Sequence, residues 1–156
     1  MSISIGQPAP AFNLHDTDKQ EITLQQQAGK NVLLLFFPLA FTSVCTKELC
    51  GVRDNIAKYN NAAATVFGIS VDSPQTLTRF KEEQGLNFSL LSDFNKEASA
   101  AYGALYEQFA GWMKGVSKRA AFVVDKQGII RYAEVLENPG ELPNFSAIDS
   151  ILESLK

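Results

Sequence analysis

Cysteine and histidine are scarce in this 156-residue chain, which contains two cysteines and one histidine. Two cysteines are too few for the disulfide framework of a small secreted protein. The single His15 cannot contribute to a zinc site without cysteine partners suitably spaced around it. The sequence therefore predicts no bound metal and leaves the two thiols as the reactive groups to explain.

Long hydrophobic runs and an excess of basic charge are also missing. No apolar stretch approaches the ~20 residues of a membrane-spanning helix, and residues 1–6 have neither the basic nor the apolar region of a signal peptide. The 14 basic and 17 acidic residues give a net charge of −3, with no basic run to contact nucleic acid. We therefore predict a cytoplasmic protein that binds neither membranes nor nucleic acid.

The overall composition and length of the chain are typical of one globular domain. Hydrophobic residues make up 46% of the chain and charged residues 20%, which is the balance of an ordinary soluble protein. A chain of 156 residues can bury one full-sized core, and no repeat or low-complexity tract divides it. We expect residues 1–156 to form a single domain.

The segment around Cys45 carries the strongest local signal. The apolar run Val32–Phe37 predicts a buried strand, which Pro38 ends by removing a donor from the ladder. Cys45 follows where helical periodicity begins, so its thiol would lie in the first turn of a helix. Unpaired N–H groups and the positive end of the helix dipole there favour thiolate over thiol. Thr42 and Ser43 are good capping residues whose hydroxyls could bond a small polar ligand beside the sulfur.

The rest of the chain alternates between strand and helix signals. Apolar residues recur at helical spacing from Cys45 to Tyr59, which predicts one helix over that range. Ser73 and Pro74 start a second helix over residues 75–84, and an amphipathic C-terminal helix is predicted with its cap near Ser146. Shorter signals predict strands at 65–71, 88–91, 120–124 and 129–135, and a helix at 96–102.

Pro38, Thr42, Ser43 and Cys45 have the spacing of the peroxiredoxin signature, which ends in the peroxide-reactive cysteine. Further segments follow in family order across nearly the whole chain, at residues 9–14, 46–50, 68–73, 90–93, 102–103 and 119–125. The sequence is identified as a member of that family, most similar to its alkyl hydroperoxide reductase E and bacterioferritin comigratory protein branches. The resemblance implies an α/β thioredoxin-like sandwich, with a central mixed β-sheet flanked by helices.

The resemblance also implies a thiol-dependent peroxidase that reduces hydrogen peroxide and organic hydroperoxides without any cofactor. Cys45 would be the nucleophile, and its thiolate would be oxidised to a sulfenic acid. Arg119 would hold the thiolate and bond the peroxide oxygens, for which a planar charged fork is suited. Thr42 would orient the peroxide through its hydroxyl, Pro38 would shield the sulfur from water, and Glu48 would position the arginine.

Cys50 leaves two catalytic cycles open. It follows Cys45 by five residues, so on an intact helix it points about 140° away, with the Cα atoms about 8–9 Å apart. A disulfide needs them within roughly 7 Å. Cys50 is therefore either a resolving cysteine that reaches Cys45 after local unfolding, as in the resembling family, or a spectator thiol. The reductant would be a thioredoxin-like protein in the first case and a low-molecular-weight thiol in the second.

Two other functional classes on the same fold remain alternatives. A thioredoxin-like disulfide reductase would use Cys-x-x-Cys at the helix start, whereas the second cysteine here comes two positions later. A redox sensor without peroxidase activity would keep Cys45 but would not need Arg119. His15 is interpreted as a surface residue in a polar turn, and Asp72 and Asp93 as strand-end residues that make turn or cap contacts.

The aromatic-rich segment 104–118 has two interpretations. Its aromatic residues are too apolar for a solvated loop, so the segment is either a lid packed on its own core or part of a dimer interface. The family resemblance implies a homodimer formed around the active-site end of the fold. Phe41 and the segment around Trp112 are the candidate contacts.

Overall fold

The computed structural model describes residues 3–156. Its strands are β1 (Asn13–Asp16), β2 (Glu21–Thr23), β3 (Asn31–Phe36), β4 (Ala64–Ser70), β5 (Ser89–Ser92), β6 (Arg119–Val124) and β7 (Ile130–Leu136). Its helices are α1 (Ser43–Asp54), α2 (Ile56–Asn61), α3 (Pro74–Gln84), α4 (Glu97–Ala101) and α5 (Phe145–Ser154). Among the described residues no helix has the length and apolarity needed to cross a bilayer.

Within residues 3–156 the seven strands form one sheet in the order β2-β1-β5-β4-β3-β6-β7. Strands β3, β4 and β5 run parallel, and the remaining pairings, including those of β6 with β3 and β7, are antiparallel. The predicted central mixed sheet with flanking helices is confirmed. Because parallel strands end at one edge, the segments that follow β3, β4 and β5 meet there.

Strand β3 is buried along its whole length because helices cover both faces of the sheet. Leu33 and Leu35 face one core cluster, which also receives apolar residues of α1, α3 and α5. Leu34 and Phe36 face the other cluster, which includes Tyr102. Burial on both faces explains why the sequence of β3 is an unbroken apolar run. Residues of α1 pack against one of these faces.

The predicted start of this helix, with Cys45 in its first turn, is confirmed, but the prediction of a single helix as far as Tyr59 is wrong. The helix begins at Ser43 and ends at Asp54, and α2 begins only at Ile56. Asn55, between them, leaves the helical region with φ −117° and ψ 20°. Its side-chain amide donates to the Gly51 carbonyl over 2.8 Å. Asparagine competes for backbone groups in this way, so it interrupts a helix that apolar spacing alone would continue.

The cap of the C-terminal helix, predicted near Ser146, lies two residues earlier, because α5 begins at Phe145 and its cap is Asn144. The Asn144 side chain accepts from the Ala147 amide over 3.1 Å. Asparagine and serine are similar in capping strength, and the packing of Phe145 against the core brings that residue into the first turn.

The N-terminal hairpin of β1 and β2 was not predicted, and the placement of His15 in a turn is wrong. His15 lies on β1, opposite Glu21 on β2 and Ser92 on β5, and its side chain is exposed. Only Leu14 on this four-residue strand is buried. A strand that short with one buried position carries almost no periodic signal.

The other predicted elements lie within about two residues of their observed bounds. The start and stop of α3 are confirmed: Ser73 Oγ accepts from the Thr76 amide over 3.1 Å, Pro74 is in the first turn, and Gly85 ends the helix at φ 60°. In the segment 104–118, Tyr106 is buried and donates to the Glu137 carbonyl over 2.7 Å. Trp112 is 73% exposed, so this segment both packs on the core and presents an aromatic side chain to solvent.

Candidate active site

The loop between β3 and α1 is fixed before it reaches Cys45. Pro38 is buried directly after the strand, and the Ala40 amide donates to Asp72 Oδ2 over 2.8 Å. Phe41 adopts a left-handed backbone conformation with φ 66°, and its ring stacks edge-on against Phe80 at 5.1 Å. Asp72, which follows β4, therefore stabilises the loop that follows β3. Asp72 makes the turn contact expected of it.

Cys45 lies in the first turn of α1 and is 1% exposed. Arg119, also 1% exposed, donates from Nη2 to the Cys45 sulfur over 3.2 Å. The sheet register explains their proximity, because Phe36 at the end of β3 pairs with Ala120 at the start of β6. Arg119 extends from the start of β6, and Cys45 from the first turn of α1 beyond the end of β3, toward one buried point.

Three further bonds hold the Arg119 guanidinium in one orientation. Nη1 donates to Glu48 Oε1 over 2.7 Å, while Nη2 and Nε donate to the Pro139 carbonyl over 3.0 and 3.3 Å. Pro139 was not predicted as part of the site. It acts through its backbone carbonyl, so the identity of its side chain gives no sequence signal for this role.

The electrostatics of the site place one cation between two groups that can be anionic. Burial raises the pKa of Glu48 to about 7, although the charge and hydrogen bond of Arg119 act to lower it. Burial also acts to lower the pKa of Arg119, but Glu48 and Cys45 together raise it above its ordinary value. The guanidinium therefore stays charged and can stabilise a thiolate on Cys45.

Thr42 occupies the capping position of α1 without acting as a side-chain cap within the described structure. Its hydroxyl donates to the Leu39 carbonyl over 2.8 Å, and its own carbonyl accepts from both the amide and the hydroxyl of Thr46. The Thr42 side chain is exposed. Its oxygen therefore retains acceptor capacity beside the helix start, where the first-turn amides can donate to a ligand.

Cys50 lies on the same helix but outside the cluster around Arg119. It is partly buried, and its thiol donates to Gln84 Oε1 at the end of α3 over 3.5 Å. Cys45 and Cys50 are both free thiols in the described part of the chain. The structure thus brings Cys45, Arg119 and Glu48 together and directs Cys50 toward a different helix.

The remaining polar candidates make structural contacts. Both carboxylate oxygens of Asp93 accept amide hydrogens at the start of α4, from Ala98 over 3.0 Å and Ser99 over 2.7 Å. Exposed His15 is on β1, away from the loop that precedes α1. No group of three His, Cys, Asp or Glu side chains within residues 3–156 is arranged to hold a metal ion.

A buried thiol at a helix start, held by a guanidinium at one edge of a mixed sheet, defines a thiol-dependent redox protein of thioredoxin-like fold. The chain belongs to the AhpC/TSA family, whose model matches residues 5–133.

Named relatives and solved structures agree with this assignment. Alkyl hydroperoxide reductase E of Mycobacterium bovis is 43% identical over 143 residues, which cover 90% of each chain. Peroxiredoxin Bcp of Escherichia coli is 37% identical over 131 residues, which cover 83% of this chain and 84% of that protein.

Among solved structures, a peroxiredoxin-like protein from Aquifex aeolicus matches with a TM-score of 0.90 and 25% identity, covering 100% of this chain and 90% of that one. Peroxidoxin BcpB from Mycobacterium tuberculosis matches with a TM-score of 0.86 and 26% identity, covering 99% of both chains. The predicted peroxiredoxin resemblance and thioredoxin-like fold are confirmed, and the protein is a thiol-dependent peroxidase.

Proposed function

We propose that Cys45 is the peroxide-reactive nucleophile of this thiol peroxidase and that its substrates are hydrogen peroxide and small organic hydroperoxides. The observation that carries the assignment is the 3.2 Å contact between Arg119 Nη2 and the Cys45 sulfur, made between two buried side chains. A permanent cation bonded to a buried sulfur favours the thiolate, which is the nucleophilic form. The Cys50 thiol bonds an uncharged amide instead, and the Arg53 charge acts on it without a hydrogen bond to its sulfur within the described residues.

The Cys45 thiolate attacks the terminal oxygen of the peroxide in line with the O–O bond. A sulfur–oxygen bond forms as the O–O bond breaks, giving a sulfenic acid and water or an alcohol. Arg119 and the first-turn amides stabilise the charge that moves onto the leaving oxygen. The Thr42 oxygen orients the peroxide, and buried Pro38 limits the access of water to the sulfur.

We further propose that Cys50 resolves the sulfenic acid by forming a disulfide with Cys45, with a thioredoxin-like protein as the reductant. Because both thiols lie on α1 and face different partners, the start of the helix must unwind first. Gly51, next to Cys50, favours this step because glycine weakens a helix interior. If Cys50 is idle, a low-molecular-weight thiol would reduce the sulfenic acid directly.

Intact mass after one equivalent of hydrogen peroxide tests the nucleophile and the resolving step together. The reduced wild-type protein should lose two hydrogens, and peptide mapping should find Cys45 joined to Cys50. In Cys45→Ser, the mass should stay unchanged on the same timescale, because serine is nearly isosteric but forms no thiolate. A Cys45→Ser protein that still consumes peroxide would overturn the assignment of the nucleophile.

A homodimer formed around the active-site edge is the proposed assembly. Phe41 follows β3, Phe94 follows β5 and Trp112 lies in the segment 104–118; these aromatic side chains are 47%, 60% and 73% exposed. The ends of parallel β3 and β5 lie at one edge of the sheet, and Lys96 packs against Gly115 of the Trp112 segment. Exposed aromatic side chains are enriched at interfaces.

Sedimentation of a dilute sample tests this assembly. Wild type should sediment as a dimer, and Trp112→Glu should shift the protein toward monomer because a charge would be buried at the contact. Ile5→Glu is the matched control, since Ile5 is 64% exposed and precedes Gly6, which bonds to Ile130 on the edge strand β7. A monomeric wild type, or equal effects of both substitutions, would remove the proposed interface without affecting the chemistry.

The cytoplasm is the proposed location, because a cycle reduced by thioredoxin-like proteins or small thiols runs in a compartment that keeps those thiols reduced.

A further inference from the structure

Glu48 is a buried carboxyl group with an incomplete set of hydrogen bonds. Its side chain is 0% exposed, and Oε1 accepts from Arg119 Nη1 over 2.7 Å. Oε2 is also buried and has no hydrogen-bond partner within the described residues. An ionised carboxylate in this position would leave one charged oxygen unsolvated, whereas a protonated carboxyl group would not.

Arg119 is shared between Glu48 and Cys45. It bonds the Glu48 carboxyl through Nη1 and the Cys45 sulfur through Nη2. A thiolate and a carboxylate present together would leave a net negative charge in the interior. When Cys45 is a thiolate, the single positive charge is already matched, and Glu48 is favoured in its protonated form. Because both groups bond the same cation, loss of the negative charge on Cys45 favours loss of the proton from Glu48.

Other charged and titratable groups of the same region line a cavity of about 480 Å³ that Glu48 also borders. They are Lys47, Cys50, Asp54, Lys58 and Tyr59. Lys58 is paired with Asp149 over 2.8 Å, and the exposed Lys47 and Asp54 border the same cavity. The Glu48 side chain itself is 0% exposed, so it can regain a proton from solvent only when the start of α1 unwinds in the proposed resolving step.

We propose that Glu48 is the proton store of the peroxidase cycle: it holds a proton while Cys45 is a thiolate and releases it when peroxide converts the thiolate to a sulfenic acid. The inference rests on the proposed role of Cys45 as the nucleophile. Glu48 touches Arg119 rather than the peroxide, so it is a positioning residue that sets the proton balance of the site.

The proton balance of the reaction calls for one proton, which Glu48 can supply. The thiolate sulfur bonds the terminal O–H of the hydroperoxide, the O–O bond breaks, and the leaving oxygen departs with the bonding electron pair. Sulfur is oxidised and the peroxide is reduced. The leaving alkoxide or hydroxide then needs one proton to become an alcohol or water. Release of the Glu48 proton matches this demand, and the Arg119 charge freed from the thiolate pairs with the new Glu48 carboxylate.

Difference infrared spectroscopy tests the proposal directly in the Cys50→Ser protein, which should hold the sulfenic acid. At about pH 8, above the Glu48 pKa of about 7 that burial and Arg119 set, the thiolate should still keep Glu48 protonated in the reduced protein. Addition of one equivalent of hydrogen peroxide should therefore remove one carbonyl band of a protonated carboxyl group. The band should be absent from Cys50→Ser carrying Glu48→Gln.

A proton count gives a second measurement that does not depend on the Glu48→Gln protein folding. In weak buffer with a pH indicator, oxidation of Cys50→Ser should take close to no protons from the solvent, because Glu48 supplies the one required. Oxidation of the Glu48→Gln double variant should take up about one proton per protein. Uptake of about one proton by Cys50→Ser itself would overturn the proposal.

Intact mass of the same samples distinguishes failure of the proposal for Glu48 from failure of the assignment of Cys45 as the nucleophile. A sample that gains one oxygen but keeps the infrared band overturns the proton store and leaves the assignment of Cys45 intact. A sample that gains no oxygen overturns both, since the store has no role without a reacting thiolate at Cys45.

Discussion

Arg119 Nη2 lies 3.2 Å from the Cys45 sulfur although the two residues are 74 positions apart in the chain. The antiparallel register of β3 and β6 creates this contact by pairing Phe36 with Ala120. Both side chains are buried, so their interaction is less screened than it would be at the surface. The proposed reactivity of the thiol therefore depends on the sheet as much as on the start of α1.

Arg119→Lys should slow the reaction with peroxide by at least about tenfold although the charge is retained. The planar guanidinium serves Cys45, Glu48 and the Pro139 carbonyl at once, and an ammonium group cannot span these three acceptors in the same geometry. Rapid mixing of the reduced variant with hydrogen peroxide gives the rate constant.

Arg131→Lys is the matched control, because Arg131 pairs with Asp125 over 2.6 Å at the hairpin that follows β6, away from Cys45. It should react at the wild-type rate. An Arg119→Lys protein as fast as wild type would mean that charge alone matters and that the forked geometry does not.

Thr42→Val should reduce the rate of peroxide reaction by about tenfold while changing the melting temperature little. The hydroxyl donates to the Leu39 carbonyl and caps no helix amide, so its removal costs less stability than the loss of a true cap. Thr42→Ser keeps the hydroxyl and should retain most of the activity. Equal activity of the Val and Ser variants would exclude a role for the hydroxyl in orienting the peroxide.

Much of this site could be predicted from sequence because its signals are local. The apolar run before Pro38 predicted β3, and helical spacing after Thr42 put Cys45 in the first turn of α1. The end of that helix could not be predicted, because the bond from the Asn55 side chain to Gly51 opposes the apolar spacing. The Pro139 carbonyl could not be predicted either, since any residue can present a carbonyl.

The partner of Cys45 was predicted only through family resemblance. From the residues alone, Arg119 is an arginine at the start of a strand, and such residues are usually solvated. Its burial and its bond to Glu48 follow from a strand pairing that spans most of the chain. Long-range register of this kind leaves no local pattern, in contrast to the Ser73, Pro74 and Gly85 signals that fixed both ends of α3.

Oxidation by one equivalent of peroxide should lower the far-ultraviolet dichroism of the wild type, and a thiol reductant should restore it. The disulfide between Cys45 and Cys50 cannot form on intact α1, so part of that helix must unwind. Cys50→Ser should react with the first peroxide at the wild-type rate, keep its dichroism and gain one oxygen. A wild-type product with an added oxygen and no disulfide would make this a one-cysteine enzyme.

Gly51→Ala should slow disulfide formation without slowing the first reaction with peroxide. A Cβ at Gly51 would meet nothing within 4 Å, so alanine should stabilise the helix by about 1 kcal/mol and slow a step that unwinds it by about fivefold. Quenched samples analysed by intact mass separate the two steps. An unchanged rate of disulfide formation in Gly51→Ala would show that the unwinding of α1 does not reach Gly51.

Between about pH 4.5 and about pH 7, the free energy of unfolding of the reduced protein should fall because of Glu48. Burial raises the pKa of Glu48 from 4.5 to about 7, so in that range the unfolded chain binds fewer protons than the folded one. Stability then decreases as pH rises, by roughly 3 kcal/mol for this group. Urea unfolding across this range should show a smaller fall in Glu48→Gln, which has no proton to lose. If the unfolding free energies of wild type and Glu48→Gln changed with pH in parallel, a raised pKa of Glu48 would be excluded.

Rapid mixing of the reduced protein with hydrogen peroxide, followed by acid quench and intact mass, tests the central claim that the folded site makes Cys45 a peroxide-reactive thiolate. The same chain unfolded in urea is the reference, because it contains both thiols without Arg119 beside Cys45. We predict that the folded protein reacts at least about 10³-fold faster than the unfolded chain, and that Cys45→Ser abolishes the fast reaction. Equal rates for folded and unfolded protein, or a fast reaction that survives in Cys45→Ser, would contradict the account.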